Sequence, residues 1–286
     1  MAISASMVKE LRERTGLGMM DCKKALAEAD GDMEKAIEDL RKKSALKAAK
    51  KAGRTAANGL LGMKASPDGS RIALVEVNIE TDFAAKNVKF NAFVEKVAEQ
   101  VLEVGDVEAV KAALNAERET LVQEIGENMS IRRGEVVTAD GGGISHYIHG
   151  DDRRGAVVVL SAAAEELGRD LAMHIVAINP MVVRSDQVPV EVLQKEREIY
   201  TSQAKDSGKP EDIVAKMVEG RIRKFLAEVS LLDQPFVKDG NSRVGDLVKQ
   251  ASVEVTRFLR YEVGEGIEVE ETDFAADVAA QLADND

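Results

Sequence analysis

The stretch Arg71 to Asn87, RIALVEVNIETDFAAKN, constrains the fold more than any other part of the chain. Ile72, Leu74, Val75, Val77 and Ile79 make the aliphatic, β-branched run of a largely buried strand, so a sheet must form around it. The run stops at Glu80, and Thr81 and Asp82 are both good N-cap residues for a following helix. Phe83 then stands at the tip of a polar turn, in a chain with seven phenylalanines, three tyrosines and no tryptophan. Spacing alone allows two readings of it. One is a hydrophobic staple or core edge, with Asp82 a plain cap; the other is an exposed contact residue.

The rest of the chain divides around this strand. Residues 1–54 read as three short helices with a basic tail: the first follows Ser4 or Ser6, the second is capped by Asp21 and the third starts at Asp32. Met19 and Met20 fall in the turn between the first two, as an adaptable contact surface or as gap-filling core. Residues 41–54 carry seven cations without an interleaved aromatic, which reads as a solvated helix running into a linker.

An α+β pattern follows over 55–140. Asn58–Lys64 and Arg71–Ile79 flank the turn residues Ser66-Pro67-Asp68-Gly69 as a hairpin. A helix with Phe90, Phe93, Val94, Val97 and Val101 on one face comes next, and 106–130 reads as further helix. The same order recurs over 141–264. Gly141 to Gly143 gives a flexible lead-in to a hairpin of Ile144–His149 and Gly155–Leu160, and a helix over 165–178 turns Leu167, Leu171, Ile175 and Ile178 inward. This recurrence predicts a duplicated hairpin-plus-helix core.

An antiparallel coiled-coil hairpin is inserted at about 189–230, with Val192, Ile199, Val214, Met217, Phe225 and Val229 as its expected seam. Strand-like Val253–Gly264 then returns to the sheet. The terminal module, 265–286, repeats Glu80 to Ala85 residue for residue at Glu271 to Ala276 and predicts a last helix.

The sequence offers no catalytic constellation. A phosphate-binding loop, a nucleophile elbow, a zinc helix motif and a dinucleotide fingerprint are all missing. The single cysteine, Cys22, excludes an internal disulfide and reads as a small packing residue in a reducing, cytoplasmic setting. His146 and His149 fall on opposite faces of a strand, and His174 is a core histidine in an apolar helix. No cofactor and no metal site are expected. The formal charge of −12 argues against nucleic acid as the main ligand, because that affinity comes from cations on phosphates. Nothing reads as a membrane span or a signal peptide.

Five strings in order resemble the bacterial elongation factor Ts family: VKELRERTGLGMMDCKKAL at 8–26, TDFAAKN at 81–87, IGENMSIRR at 125–133, SGKPEDIVAKMVEGR at 207–221 and RYEVGEGIE at 260–268. The resemblance implies a guanine-nucleotide exchange factor without catalytic chemistry of its own. Its partner would be elongation factor Tu, in the GDP-bound and nucleotide-free forms. It also implies an N-terminal three-helix unit similar to ubiquitin-associated domains, a two-part core, a projecting coiled coil and a C-terminal helix that clasps the partner. The family's Thr-Asp-Phe tip falls on Thr81, Asp82 and Phe83. It would enter the GTPase domain and disturb a Mg²⁺ site that belongs to the partner. Ala84 stands where the family often has valine. Met19 and Met20 resemble the N-terminal contact positions, and His149 the histidine that meets another domain of the partner. The coiled coil leaves a dimer, a 2:2 complex or a direct partner contact open.

Overall fold

The computed structural model describes residues 3–205 and 210–268. The expected C-terminal helix, with Thr272, Asp273 and Phe274, lies outside them.

Three helices open the chain: α1 (Ala5–Thr15), α2 (Met19–Glu28) and α3 (Met33–Lys51). Ser4 and Asp32 cap α1 and α3, each side chain accepting from a backbone N–H in the first turn. Leu11, Cys22, Leu26, Ala36 and Leu40 close a small core between them. Two expectations change here. The N-cap of α2 is Gly18, so Asp21 sits inside the first turn, where it faces the positive end of the helix dipole. Met19 and Met20 therefore begin a helix instead of lying in a turn. The basic stretch is the second half of α3. Four of its cations are already engaged: Lys42 with Glu38, Lys43 with Glu28, Lys51 with the Gly126 carbonyl and Arg54 with Glu80.

Two three-stranded antiparallel sheets form the centre. The first has the order β1 (Asn58–Ala65), β2 (Arg71–Ile79), β3, with α4 (Asp82–Ala85), α5 (Val88–Val104) and α6 (Val107–Ile125) between β2 and β3 (Met129–Thr138). The helix expected over 106–130 is thus shorter, and its last residues begin a strand. The second sheet has the order β4 (Gly143–Ile148), β5 (Arg154–Leu160), β8. Between β5 and β8 the chain makes α7 (Glu165–Ile178), α8 (Val190–Lys205), α9 (Glu211–Val229), the small ribbon β6 (Pro235–Phe236) with β7 (Asp239–Arg243), and α10 (Val244–Gln250). β8 spans Val255–Glu262. The class is α+β, with antiparallel strands and helices on their faces.

The two central strands are buried on both sides, as the unbroken apolar run requires. Ala73, Val75, Val77 and Ile79 of β2 face Phe90, Phe93, Val94, Val97 and Val101 of α5. Ile72 and Leu74 point the other way and meet Val157 and Val159 of β5, with Leu61, Val137, Tyr261 and Val263 around them. Ala156, Val158 and Leu160 of β5 turn their backs to this layer and pack on Leu171, Ala172 and Ile175 of α7. The sheets therefore stack face to face, with α5 outside one and α7 outside the other. Ile178, expected inward on α7, is exposed at its end. His174 is buried as expected, its Nε2 2.9 Å from Gln234 Oε1 and its Nδ1 accepting from the Val237 N–H at 3.2 Å.

One acid interrupts the run. Glu76 of β2 is fully buried, and its carboxylate accepts from Arg132 Nη1 at 2.9 Å, Arg133 Nε at 2.6 Å and the Gly264 N–H at 2.8 Å. Successive strand residues normally point to opposite faces. Here the pairing of β2 with β3 slips between Glu76 and Val77, so that Arg132 is an extra residue on β3 and both arginines reach the same acid. Arg133 also lies 4.1 Å from the centre of the Tyr261 ring, so the cluster joins the first sheet to the exit of β8.

The α8–α9 hairpin has its own seam. Val214, Val218 and Ile222 of α9 and Ala204 of α8 are buried, with Leu193, Tyr200, Met217 and Leu226 packed against them. Val214 and Met217 lie in the seam as expected, whereas Ile199 is exposed and Val192, Phe225 and Val229 are half-buried, with Leu193, Tyr200, Ile222 and Leu226 in the seam instead. The glycines before β4 are also not a loose lead-in. A side chain on Gly142 would lie 2.0 Å from the Leu160 carbonyl oxygen and one on Gly143 2.7 Å from that of Ala162, so this backbone is pressed against the end of β5.

Candidate partner-binding surface

β2 delivers the chain to Thr81, whose extended backbone (φ −123°, ψ 156°) is that of an N-cap. Its hydroxyl accepts from the Ala84 N–H at 3.1 Å, and its carbonyl accepts from Ala85 at 3.1 Å, which closes the single turn of α4. Ala84 and Ala85 press into the first core. Phe83, on the opposite side of the turn, is left 81% exposed. It is neither a staple nor a core edge. Its only close polar neighbour among the described contacts is Lys86, whose Nζ lies 5.4 Å from the ring centre and 3.2 Å from Asp82 Oδ2.

The base of the tip is held from both sides. Asn58 of β1 donates to the Glu80 carbonyl at 2.9 Å. The turn after α6 supplies Glu127, whose two carboxylate oxygens accept from the Thr81 N–H at 2.9 Å and the Thr81 hydroxyl at 2.7 Å. Asn128 next to it donates its N–H to the Glu80 carboxylate and its side-chain amide to the Arg54 carbonyl at 2.7 Å. Glu127 and Asn128 lie inside the string Ile125 to Arg133 but were not legible as supports, because a sequence separation of more than forty residues hides the contact.

His149 lies just past the end of β4, not on it, so the opposite-face relation to His146 does not apply as expected. Its N–H donates to the Arg154 carbonyl at 2.8 Å, its carbonyl accepts from Asp152 at 2.8 Å, and its exposed ring has Nδ1 3.2 Å from the Tyr147 hydroxyl. The turn is tied to the first sheet: Leu61 donates to the Asp152 carbonyl at 2.7 Å and Arg153 to the Asn58 side chain at 3.0 Å. Its two acids differ. Desolvation, then the charge of Asp151, pushes the Asp152 carboxyl up. Asp151, against the upward push of desolvation, is drawn down by the Arg153 N–H and by Arg154.

Between the tip and this turn runs a cleft of about 660 Å³. Asp82, Ala85, Lys86 and Val88 line one wall and Gly150 to Arg153 the other; Phe83 and His149 are not among the lining residues, but each directly follows or precedes one in the chain. Met20 and Met19, 75% and 45% exposed, head the second helix, and Lys89 Nζ reaches the Gly16 carbonyl at 3.4 Å, which fixes the three-helix unit beside the start of α5. No group of three or more His, Cys, Asp or Glu side chains suited to a metal occurs among the described residues. Nor is any helix among them long and apolar enough to cross a membrane.

Fold and surface together define a class: an α+β protein that presents an exposed aromatic tip beside a cleft. Residues 80–265 match the family model described as Elongation factor TS. The chain is 57% identical over 284 residues to an elongation factor Ts of Hahella chejuensis, covering 98% of this chain and 99% of that one. It is 55% identical to that of Teredinibacter turnerae, covering 99% and 98%, and 53% identical to that of Saccharophagus degradans, covering 99% of each. The chain belongs to the elongation factor Ts family.

Proposed function

We propose that this chain is the exchange factor of elongation factor Tu: it binds the GDP-bound and nucleotide-free forms and promotes GDP release through binding alone. Family membership supports that role. For the mechanism, the carrying observation is the exposed Phe83 on a tip whose base is fixed by Thr81, Glu80 and their partners. The tip enters between helices of the GTPase domain. Burying one phenylalanine supplies roughly 1.5 to 3 kcal/mol. Spent on moving partner helices, that is a factor of about 10 to 150 in nucleotide affinity. Because the loop is already ordered, little of this energy goes into ordering it. Disturbing the partner's Mg²⁺, which neutralises the β-phosphate, supplies the rest. Asp82 acts there by position and charge, and Ala84 seats the tip. Met19, Met20 and His149 extend the contact surface on either side.

The cleft between Phe83 and His149 suits a helix of the partner. The α8–α9 hairpin is a second contact surface, in a dimer or a 2:2 complex. Nucleic acid is not the main ligand on this reading, which the pairing of the α3 cations supports, and the place of action is the cytoplasm.

The test is release of a fluorescent GDP from elongation factor Tu with and without the chain. Release accelerates, and Phe83→Ala or Asp82→Ala lowers the acceleration by about tenfold or more. Phe274→Ala, in the second copy of the motif, leaves it within about twofold. No acceleration by the intact chain would overturn the exchange reading.

A further inference from the structure

The tip mechanism assumes that Phe83 is held still, yet Phe83 itself touches almost nothing. What orients it must act lower down, through Thr81. That residue has one hydroxyl and one N–H, and both end on a single side chain. The carboxylate of Glu127 accepts the N–H at one oxygen (2.9 Å) and the hydroxyl at the other (2.7 Å). The hydroxyl's proton is thereby directed to Glu127, which leaves its lone pairs free for the Ala84 N–H at 3.1 Å. A free threonine cap can rotate about its Cα–Cβ bond; this one has donor and acceptor roles fixed at once.

Glu127 is itself placed by a backbone that only glycine adopts easily. α6 ends at Gly126, whose φ of +90° turns the chain sharply, and its N–H closes the helix on the Val122 carbonyl. The same short turn holds the N-terminal unit. Lys51 of α3 donates to the Gly126 carbonyl, and Asn128 donates to Arg54 and to the Glu80 carboxylate. Residues 126–128 thus grip both the tip and the end of α3.

Resting on the exchange reading above, we propose that Glu127 is the positioning residue of the Thr81–Phe83 tip: its bidentate hold on Thr81 sets the direction in which Phe83 is presented. It touches neither partner nor nucleotide on this account and acts only through Phe83. A residue that merely supports the fold would behave differently, because its loss would weaken every variant alike.

A double-mutant cycle in GDP release from elongation factor Tu separates the two. Glu127→Ala lowers the acceleration about tenfold. Glu127→Gln, which keeps one acceptor and the shape, lowers it about threefold or less. In the Phe83→Ala background neither change has a further effect beyond about twofold, since there is no ring left to aim. Thr81→Ser, which keeps both donors, stays within about twofold of the parent, whereas Thr81→Val falls with Glu127→Ala. Thermal melts of each variant establish that the chain is folded, and Glu127→Gln serves where Glu127→Ala is not. If Phe83→Ala alone has no effect, the tip reading fails and this inference with it. If Phe83→Ala does slow exchange but the Glu127 changes multiply onto it, or have no effect singly, the tip reading stands and the positioning role is refuted.

Discussion

A single buried acid shows how far one residue can depart from the pattern around it. The run from Ile72 to Ile79 is legible as a buried strand, and its length and both buried faces agree with that reading. Only Asn78, whose side-chain amide donates to the carboxylate at 3.1 Å, is a local partner of the fully buried Glu76; its charged partners sit on another strand and its backbone donor beyond β8. Burial acts to push its carboxyl up; the Gly264 N–H and the two guanidinium groups outweigh that, and the net direction is down. Glu76→Ala removes one acceptor each from Arg132, Arg133, the Asn78 amide and the Gly264 N–H, although the two arginines keep their bonds to Glu262 and Glu265. It should cost about 3 kcal/mol, the low end for a broken buried pair, because Arg132 and Arg133 keep some access to water. The sign of the pH dependence follows from the depressed folded value. The stabilisation is complete above the unfolded carboxylate range, near about 4.3, and is lost as pH falls through the lower folded one. Urea midpoints should show Glu76→Gln below the parent at pH 7, with the gap closing below about pH 4. A gap unchanged down to pH 3 would mean that the ionised form carries no stability.

Elements were legible in proportion to how regular their burial is. α7 carries Leu171 and Ile175 on a clean helical face, and its predicted bounds of 165–178 coincide with the observed ones. β3 was missed. It is an edge strand, its middle residues Arg132 to Glu135 are polar or glycine, and the slip at Arg132 breaks the two-residue period that would have marked it. In the α8–α9 hairpin the helices were clear but the seam was only partly so. One position along a helix rotates a side chain by about 100°, and Val192 with Ile199 competes with Leu193 and Tyr200 for the same spacing. That seam is a separate small core, joined to the body through Ser230 and Leu231 beside Val182. Its stability should therefore be local. Ile222→Ala, losing about 2 kcal/mol there, should speed amide hydrogen exchange in α8 and α9 about 30-fold and leave β2 amides unchanged. Equal acceleration in β2 would show that the hairpin opens only with the whole chain.

At the scale of the whole molecule, the two sheets and their joint decide where the functional features stand. The recurrence of hairpin and helix was readable from element order, whereas the face-to-face stacking was not, since Ile72, Leu74, Val157 and Val159 look the same whichever face they bury. That stacking sets the width of the cleft between the Phe83 tip, which follows the first sheet, and the His149 turn, which belongs to the second. Hydrogen bonds from Leu61 and Arg153 fix how the turn registers on β1, but the separation of the layers rests on the side chains between them. Leu74 is fully buried at that joint. Leu74→Ala should cost about 3 kcal/mol and let the sheets settle toward the cavity. The rims then shift, and acceleration of GDP release should fall about threefold below what the folded fraction explains, the scale of a 0.6 to 0.7 kcal/mol change in fit. Leu171→Ala is the matched control. It removes the same volume from a fully buried site, but between α7 and the outer face of the second sheet, away from the joint between the sheets. It should cost comparable stability and leave the acceleration per folded molecule unchanged. An equal functional loss in both variants would show that the exchange surface responds to stability at large, and that the joint between the sheets does not set it.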